Sequence, residues 1–463
     1  MLATNKNKNM GTALRAACAA LLLGGAQALA AIPIQQWTQP SGAKVYLVES
    51  PSIPMVDVQM DFDAGSRRDP ADKAGLAQAT AGMTSKGITA ARTPGSGPYD
   101  AALDENQLSE AWADLGAGFS ASAGTDRMSF SLRSLTYPDL LAKAVQLGAR
   151  QLADPSFPDP VWQRERQRLS ASIREANTKP ATIAGHAYAA AVYGSHPYGY
   201  ETTEETLARI SVDDMQQAYR RQVEPCRAKV SIVGAVTRAQ ADAMVATLLS
   251  RLPAAATGRC EPLAPVAEVA ALAAPLARQI PFASAQAHVL MGQPGYKRSD
   301  PDHFALLVGN YTLGGGGFVS RLTEEVREKR GLSYSVYSYF APGLHAGSFT
   351  VGLQTRPDQT AQAVQVSRDV LARFVAEGPT PQELKAAKDY LIGGFPLLID
   401  SNRKLLDNVA NIAWHNLPLD YLDTWTRQVE RITAADIKAA FDRKLQPQRM
   451  VTVTVGAVAA PQQ

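Results

Sequence analysis

The sequence predicts an α+β fold of two homologous domains, each a mostly antiparallel sheet packed with helices. Three observations predict it: a segment repeats at a fixed offset, period-2 strands pair across turns, and helical patterns follow each hairpin. The repeat comes first. RISVDDMQQAYRRQVEPCRAKVSIVGAV (209–236) and RITAADIKAAFDRKLQPQRMVTVTVGAV (431–458) align without a gap at an offset of 222, and eleven of 28 positions are identical. Each copy reads as a helix opened by Ser211 or Thr433, a break at Pro225 or Pro447, and a strand closing on VGAV. The same offset brings FPDPVWQRERQRL near GPTPQELKAAKDYL, two helix starts introduced by Pro.

At the N-terminus, Lys6, Lys8 and Arg15 precede the apolar run AACAALLLGGAQALA, which ends in Ala28-Leu29-Ala30. A charged start, a short apolar run and a small-x-small end read as a secretory signal peptide, residues 1–30, cleaved near Ala30. The run is too short to span a bilayer. No later segment is long and apolar enough to do so, and a periplasmic location is expected. The 463 residues exceed one ordinary core. The expected domains are 31–251 and 276–463, joined by an Ala- and Pro-rich linker, 252–275. A formal charge of +3 without a basic tract argues against nucleic-acid binding.

In the first half, Val56, Val58, Met60 and Phe62 alternate with Asp57, Gln59, Asp61 and Asp63, the pattern of a half-buried strand. GFSASAGTDRMSFSLRSL reads as a hairpin turning at Gly124 to Arg127. In the second half, LSYSVYSYF and SFTVGLQT flank the loop APGLHAG in the same way. Signal cleavage removes Cys18 and leaves Cys226 and Cys260. In an oxidising compartment these suggest one disulfide, and the alternative is two unpaired thiols. The bond would close a loop of about 35 residues, worth roughly 3–4 kcal/mol in the chain-entropy account. The two make no CxxC motif, which argues against a metal or redox role.

The richest stretch is LGGGGFVSRLTEEVREKRGLSYSVYS, 313–338. Gly314, Gly315, Gly316 and Gly317 permit a tight, backbone-exposed loop that either hinges or lines a chamber. No Lys-Ser/Thr follows them, so the loop is not a phosphate loop. A helix is expected next, with Phe318, Leu322 and Val326 on one apolar face and Gly331 as its C-cap. A strand is expected immediately after. A sharp reversal at Gly331 would bring Arg327 and Tyr334 onto one surface.

This stretch resembles the second-domain motif of the insulinase and mitochondrial-processing-peptidase family. HPYGYETTEETLARIS (196–211), the DAGSRRDP…GLA opening and the duplication extend the resemblance over nearly the whole mature chain. The resemblance implies paired α+β domains, two such pairs forming a clamshell around an unfolded peptide. The family's Arg/Tyr pair falls on Arg327 and Tyr334, which implies that they hold the substrate backbone. An Arg and a phenol both donate hydrogen bonds to a peptide carbonyl or its developing oxyanion.

Catalytic members carry HxxEH on the helix after the first-domain strand, two His for Zn²⁺ and a Glu as base, with a further Glu on a later helix. Aligned on GLA, the corresponding residues here are Gln78, Ala79, Thr80, Ala81 and Gly82, and the later Glu falls on Ser172. Glu165, seven residues earlier, reads as a helix-surface ion pair with a nearby Arg. The six histidines (186, 196, 288, 303, 345, 415) include no pair at helical ligand spacing, and each reads as a surface or helix-capping imidazole. No metal is therefore expected in this chain. The resemblance implies a heterodimer in which an HxxEH-bearing family member holds the zinc and this chain positions unfolded peptide. The alternative is a catalytically inactive peptide-binding or scaffold homologue without a protease partner.

Overall fold

Two mostly antiparallel sheets organise the fold. The computed structural model describes residues 32–92, 99–253 and 260–456. The expected signal segment, and residues 254–259 of the expected linker, lie outside the described residues. The first sheet holds β1 (Gln35–Thr38), β2 (Lys44–Glu49), β3 (Met55–Phe62), β4 (Gly118–Ala123), β5 (Met128–Leu135) and β6 (Lys229–Gly234). Their order is β1–β2–β6–β3–β5–β4. The second sheet holds β7 (Leu276–Ile280), β8 (Ala287–Pro294), β9 (Val336–Phe340), β10 (Ser348–Thr355) and β11 (Val451–Val455), in the order β7–β11–β8–β10–β9. β6 runs parallel to β2 and β11 parallel to β7, and every other neighbour is antiparallel. The second sheet thus repeats the order β2–β6–β3–β5–β4. The repeat ends in matched elements: Ser211 and Thr433 each open a helix with a capping box, closed by Asp214 and Asp436.

The strand at β3 departs from the half-buried expectation. Val56, Val58, Met60 and Phe62 join a core with Leu47, Phe130 and Trp162. Asp57, Gln59 and Asp61, on the opposite face, are also buried, and Asp61 is 0% exposed. The cover is a helix from the other half of the chain, Asn402–His415, which packs on β6 and β3. The reverse also holds. The helix Pro180–Tyr193 packs on β8 and β11, with Ala184, Ala187, Tyr188 and Val192 against Val451, Val453 and Val455. The repeat offset of 222 carries the first of these helices onto the second. Each half lends the same helix to its neighbour's sheet. We call them α1 (Pro180–Tyr193) and α2 (Asn402–His415).

Specific polar bonds fix both crossings. The Tyr188 hydroxyl donates to the Phe349 carbonyl at 2.8 Å. Gly292 makes room for it, because a Cβ there would sit 2.1 Å from the Tyr188 oxygen. Under α2, Asp61 accepts from Ser129 (2.5 Å), Gln59 (2.9 Å) and Arg127 (3.0 Å). Burial pushes the Asp61 carboxyl up, and Arg127 opposes that. Arg127 also donates to the Ala410 carbonyl and to the Asn411 side chain. Lys229 donates to the carbonyls of Ala413 (2.8 Å) and Trp414 (2.9 Å) and to Asn416 Oδ1 (3.0 Å), satisfying the C-terminus of α2.

The two hairpin turns meet at Asp126. Its carboxylate accepts from the Tyr198 hydroxyl (2.6 Å) and the Leu344 N–H (2.9 Å), and the Arg67 guanidinium lies 3.2 Å away. His196 and His345 pack ring to ring beside it, with centroids 5.2 Å apart. Both are buried because the halves close over them; His345 is thus not the surface imidazole expected, while His196 fills the helix-capping role at the 3-10 turn Pro197–Gly199. His196 Nδ1 accepts from the Tyr198 N–H at 3.1 Å, so Nε2 carries the proton toward the Ala267 carbonyl at 3.0 Å. Arg68 donates to the Ala264 carbonyl, and Cys226 is bonded to Cys260. These contacts tie the segment between the sheets to the first half. Among the described residues, no helix is long and apolar enough to cross a membrane.

Two predictions follow from this packing. Lys229→Ala leaves the α2 carbonyls without their cation and lowers unfolding free energy by about 2–3 kcal/mol in urea titration. Acid is destabilising through His303 and His415. Burial, with Arg298 adding, holds His303 down to about 3 and His415 down to about 4. The unfolded chain therefore binds protons that the folded chain refuses once pH falls below the ordinary imidazole value of about 6.5. Each imidazole then costs about 1.4 kcal/mol of stability per pH unit toward pH 4, while Asp69, whose buried carboxyl is raised to about 7, gains about that amount over the same span and offsets one of them. Thermal melts across pH 4 to 7 read the slope, and His303→Gln removes its share.

Candidate functional site

The helix Leu76–Met83 carries Gln78, Ala81 and Gly82, the residues expected to align with the zinc motif. Asp69 starts it, accepting from the backbone N–H groups of Gly75 and Ala77, each at 3.0 Å. Burial pushes the Asp69 carboxyl up to about 7, against those backbone donors. Leu76, Ala77, Ala79, Thr80, Ala81 and Met83 face inward, while Gln78 and Gly82 are exposed. Residues 78 and 82 therefore share the solvent face one turn apart, a spacing that suits two metal ligands. Ala81 is only 2% exposed. Ser172 is exposed on the helix Asp159–Ala176.

The donor set does not fit zinc. An amide, a methyl, a hydrogen and a hydroxyl supply no imidazole, thiolate or carboxylate. Gly82 faces open space, where an added Cβ would meet nothing within 4 Å. Glu165 is engaged elsewhere, with Arg168 at 2.9 Å, Lys86 at 3.5 Å and Arg164 at 3.7 Å. Burial alone would raise its carboxyl, but the hydrogen bond from Arg168 and the charge of Lys86 hold it below the usual range. Lys86 also pairs with Glu105 at 2.5 Å. Among the described residues, one His/Cys/Asp/Glu cluster is close enough to hold an ion: Glu224, Cys226 and Cys260, whose sulfurs are bonded to each other.

Arg327 and Tyr334 come together in the second half. The chain reverses at Gly331 (φ +60°), whose N–H donates to the Arg327 carbonyl at 2.8 Å, while Leu332 N–H reaches Val326 at 2.9 Å. The Arg327 guanidinium carbon lies 5.0 Å from the Tyr334 ring centroid and 4.6 Å from that of Phe318. Its Nε is 3.4 Å from Glu328. Tyr334 is 81% exposed. It precedes β9 in an irregular segment, so the strand starts later than expected.

Phe318 departs from the expectation that it shares an apolar face with Leu322 and Val326. Those two are buried, but Phe318 is 73% exposed. The cause is local geometry. Residues 317–319 form a separate 3-10 turn, and Thr323–Glu328 is π-helical, with Lys329 N–H bonded to the Glu324 carbonyl. The period-3.6 pattern that would place Phe318 inward is broken between them.

The glycines before it have distinct roles. Gly314 lies against β9, where a Cβ would meet Ser338 N at 2.6 Å. Asn310 anchors the contact, donating to the Ser338 carbonyl at 3.0 Å and accepting from its hydroxyl at 2.7 Å. Gly315 and Gly316 fold against Asn310 and Tyr311, while Gly317 has open space around it and φ +58°. A cavity of about 190 Å³ opens beside this turn, lined by Gly317, Phe318, Thr323, Arg327, Tyr334 and Val336 among others.

A basic and a phenolic donor on one surface, and aligned metal positions without a zinc ligand, stand together on a duplicated α+β scaffold of the zinc-peptidase type. Residues 44–206 match the family described as Insulinase (Peptidase family M16), and residues 209–391 match the Peptidase M16 inactive domain. The crystal structure of a peptidase M16 inactive domain from Pseudomonas fluorescens is 31% identical. It has a TM-score of 0.84 over 93% of this chain and 100% of that one. The chain belongs to peptidase family M16, the insulinase family, with two M16-like domains and no zinc ligand at the residues aligned with the metal motif. It is 24% identical to the non-peptidase homolog YmxG of Helicobacter pylori, over 90% of this chain and 93% of that protein. It is also 29% identical, over 59% of its length, to an uncharacterized zinc protease of Streptomyces coelicolor. That match spans 60% of the relative.

The geometry separates the glycines experimentally. Gly314→Ala drives a methyl into β9 and costs about 1–3 kcal/mol. Gly317→Ala meets no neighbour and costs about 1 kcal/mol through its left-handed backbone alone. Urea midpoints of the two variants are expected to fall in that order.

Proposed function

We propose that this chain positions unfolded peptide for a separate, HxxEH-bearing member of the family, in the periplasm, and holds no zinc itself. The observation that carries the reading is the pairing of an emptied metal slot with an intact Arg327–Tyr334 site. The metal and its chemistry belong to the partner. This chain's residues bind and orient. The Arg327 guanidinium has N–H donors at its edge for a peptide carbonyl, and the Tyr334 hydroxyl supplies another. A carbonyl held by such donors is also stabilised as negative charge develops on its oxygen.

Reconstitution of the full chain with the HxxEH-bearing family member of the same genome tests the reading. The mixture hydrolyses an unfolded peptide, and this chain alone does not. Arg327→Ala leaves assembly intact and lowers turnover about 10²–10³-fold, the usual effect of losing one such donor. Unchanged turnover in Arg327→Ala would remove the assigned role.

A further inference from the structure

Phe318 is a large apolar ring left in water on a turn that four glycines shape. Its neighbour Val319 is exposed as well. A single exposed apolar residue needs no explanation. This one, however, sits 4.6 Å from the Arg327 guanidinium, with Tyr334 at 5.0 Å. Cation–π attraction operates at these distances, from about 0.5–1 kcal/mol at exposed sites to about 2 when water is excluded. The only ion pair Arg327 makes among the described residues is to Glu328, the next residue in the chain and itself exposed. No buried carboxylate fixes the guanidinium, so the rings are its main lateral restraint.

We infer that Phe318 is a positioning residue for Arg327. The inference rests on the reading that Arg327 holds the peptide. Both rings engage the flat guanidinium, which limits its swing and leaves its N–H edge for a ligand carbonyl. The turn that carries Phe318 is itself anchored on β9 by Gly314 and Asn310. Phe318 is therefore presented from a fixed base, although its own ring stands in solvent. When a peptide covers the site and excludes water, the stack strengthens at the moment the guanidinium must be held.

The test uses the full chain in the reconstituted pair, with an unfolded peptide as probe. Phe318→Leu keeps apolar bulk and removes the π face, and it is expected to lower kcat/KM about tenfold. Phe318→Trp restores the face and keeps kcat/KM within about twofold of the parent. A second readout needs no partner. In full chain labelled at arginine side chains, the Arg327 Nε–H resonance is ring-current shifted. It moves toward the free-arginine position in Phe318→Leu and stays shifted in Phe318→Trp. Equal activity and an unmoved resonance in Phe318→Leu would overturn the inference while Arg327→Ala still fails. Loss in both Leu and Trp variants would also overturn it, making Phe318 a shape contact. If Arg327→Ala is fully active, the peptide-positioning reading falls first, and the resonance alone then decides whether the stack exists.

Discussion

The fold depends on the reciprocal loan of one helix between the two halves. β3 places Asp57, Gln59 and Asp61 on a face that water would cover in an isolated half. In the intact chain α2 covers that face. Buried charges survive only when paired, and here Arg127 meets Asp61 while Lys229 meets the carbonyl end of α2. Burial pulls the Lys229 ammonium down to about 8, yet three acceptors surround it. The opposite crossing is drier, built on Val451, Val453 and Val455 under an alanine-rich α1, with Tyr188 making its polar bond. The two crossings pack helices of each half on the sheet of the other, and the candidate site in the second half stands on a scaffold that the first half completes.

Much of this was legible in the sequence. The offset of 222 exposed the duplication, and period-2 alternation found both hairpins. The motif spacing brought Arg327 and Tyr334 to one surface, and the aligned helix marked Gln78, Ala81 and Gly82 as blank. What the sequence hid has a common cause. Alternation of Asp57, Gln59 and Asp61 with apolar residues signals one wet face, and only tertiary contact shows that another helix dries it. The burial of His196 and His345 was hidden for the same reason, since they are 149 positions apart and meet where the halves close. Phe318 was misread because a helical period was carried through a segment that changes from a 3-10 turn to a π-helical one. The four glycines ahead of it were the available signal that the period would break.

The two regions differ in the chemistry they present. On the first-half helix, Asp69 accepts from the Gly75 and Ala77 N–H groups and Gly82 has open space around it, but Gln78, Ala81 and Gly82 supply no zinc ligand. The second half presents Arg327 and Tyr334 on the Gly331 reversal, the Gly314–Ser338 contact and the aromatic stack. The proposed division of labour between two chains rests on that contrast.

The most direct measurement of that division is a titration of the purified HxxEH-bearing family member with this chain, following hydrolysis of an unfolded peptide and the zinc content of each component. The account predicts that hydrolysis rises to a plateau at equimolar ratio, with zinc in the partner and not in this chain. Stoichiometric zinc and hydrolysis in this chain alone would contradict it, as would a partner whose rate is indifferent to the addition.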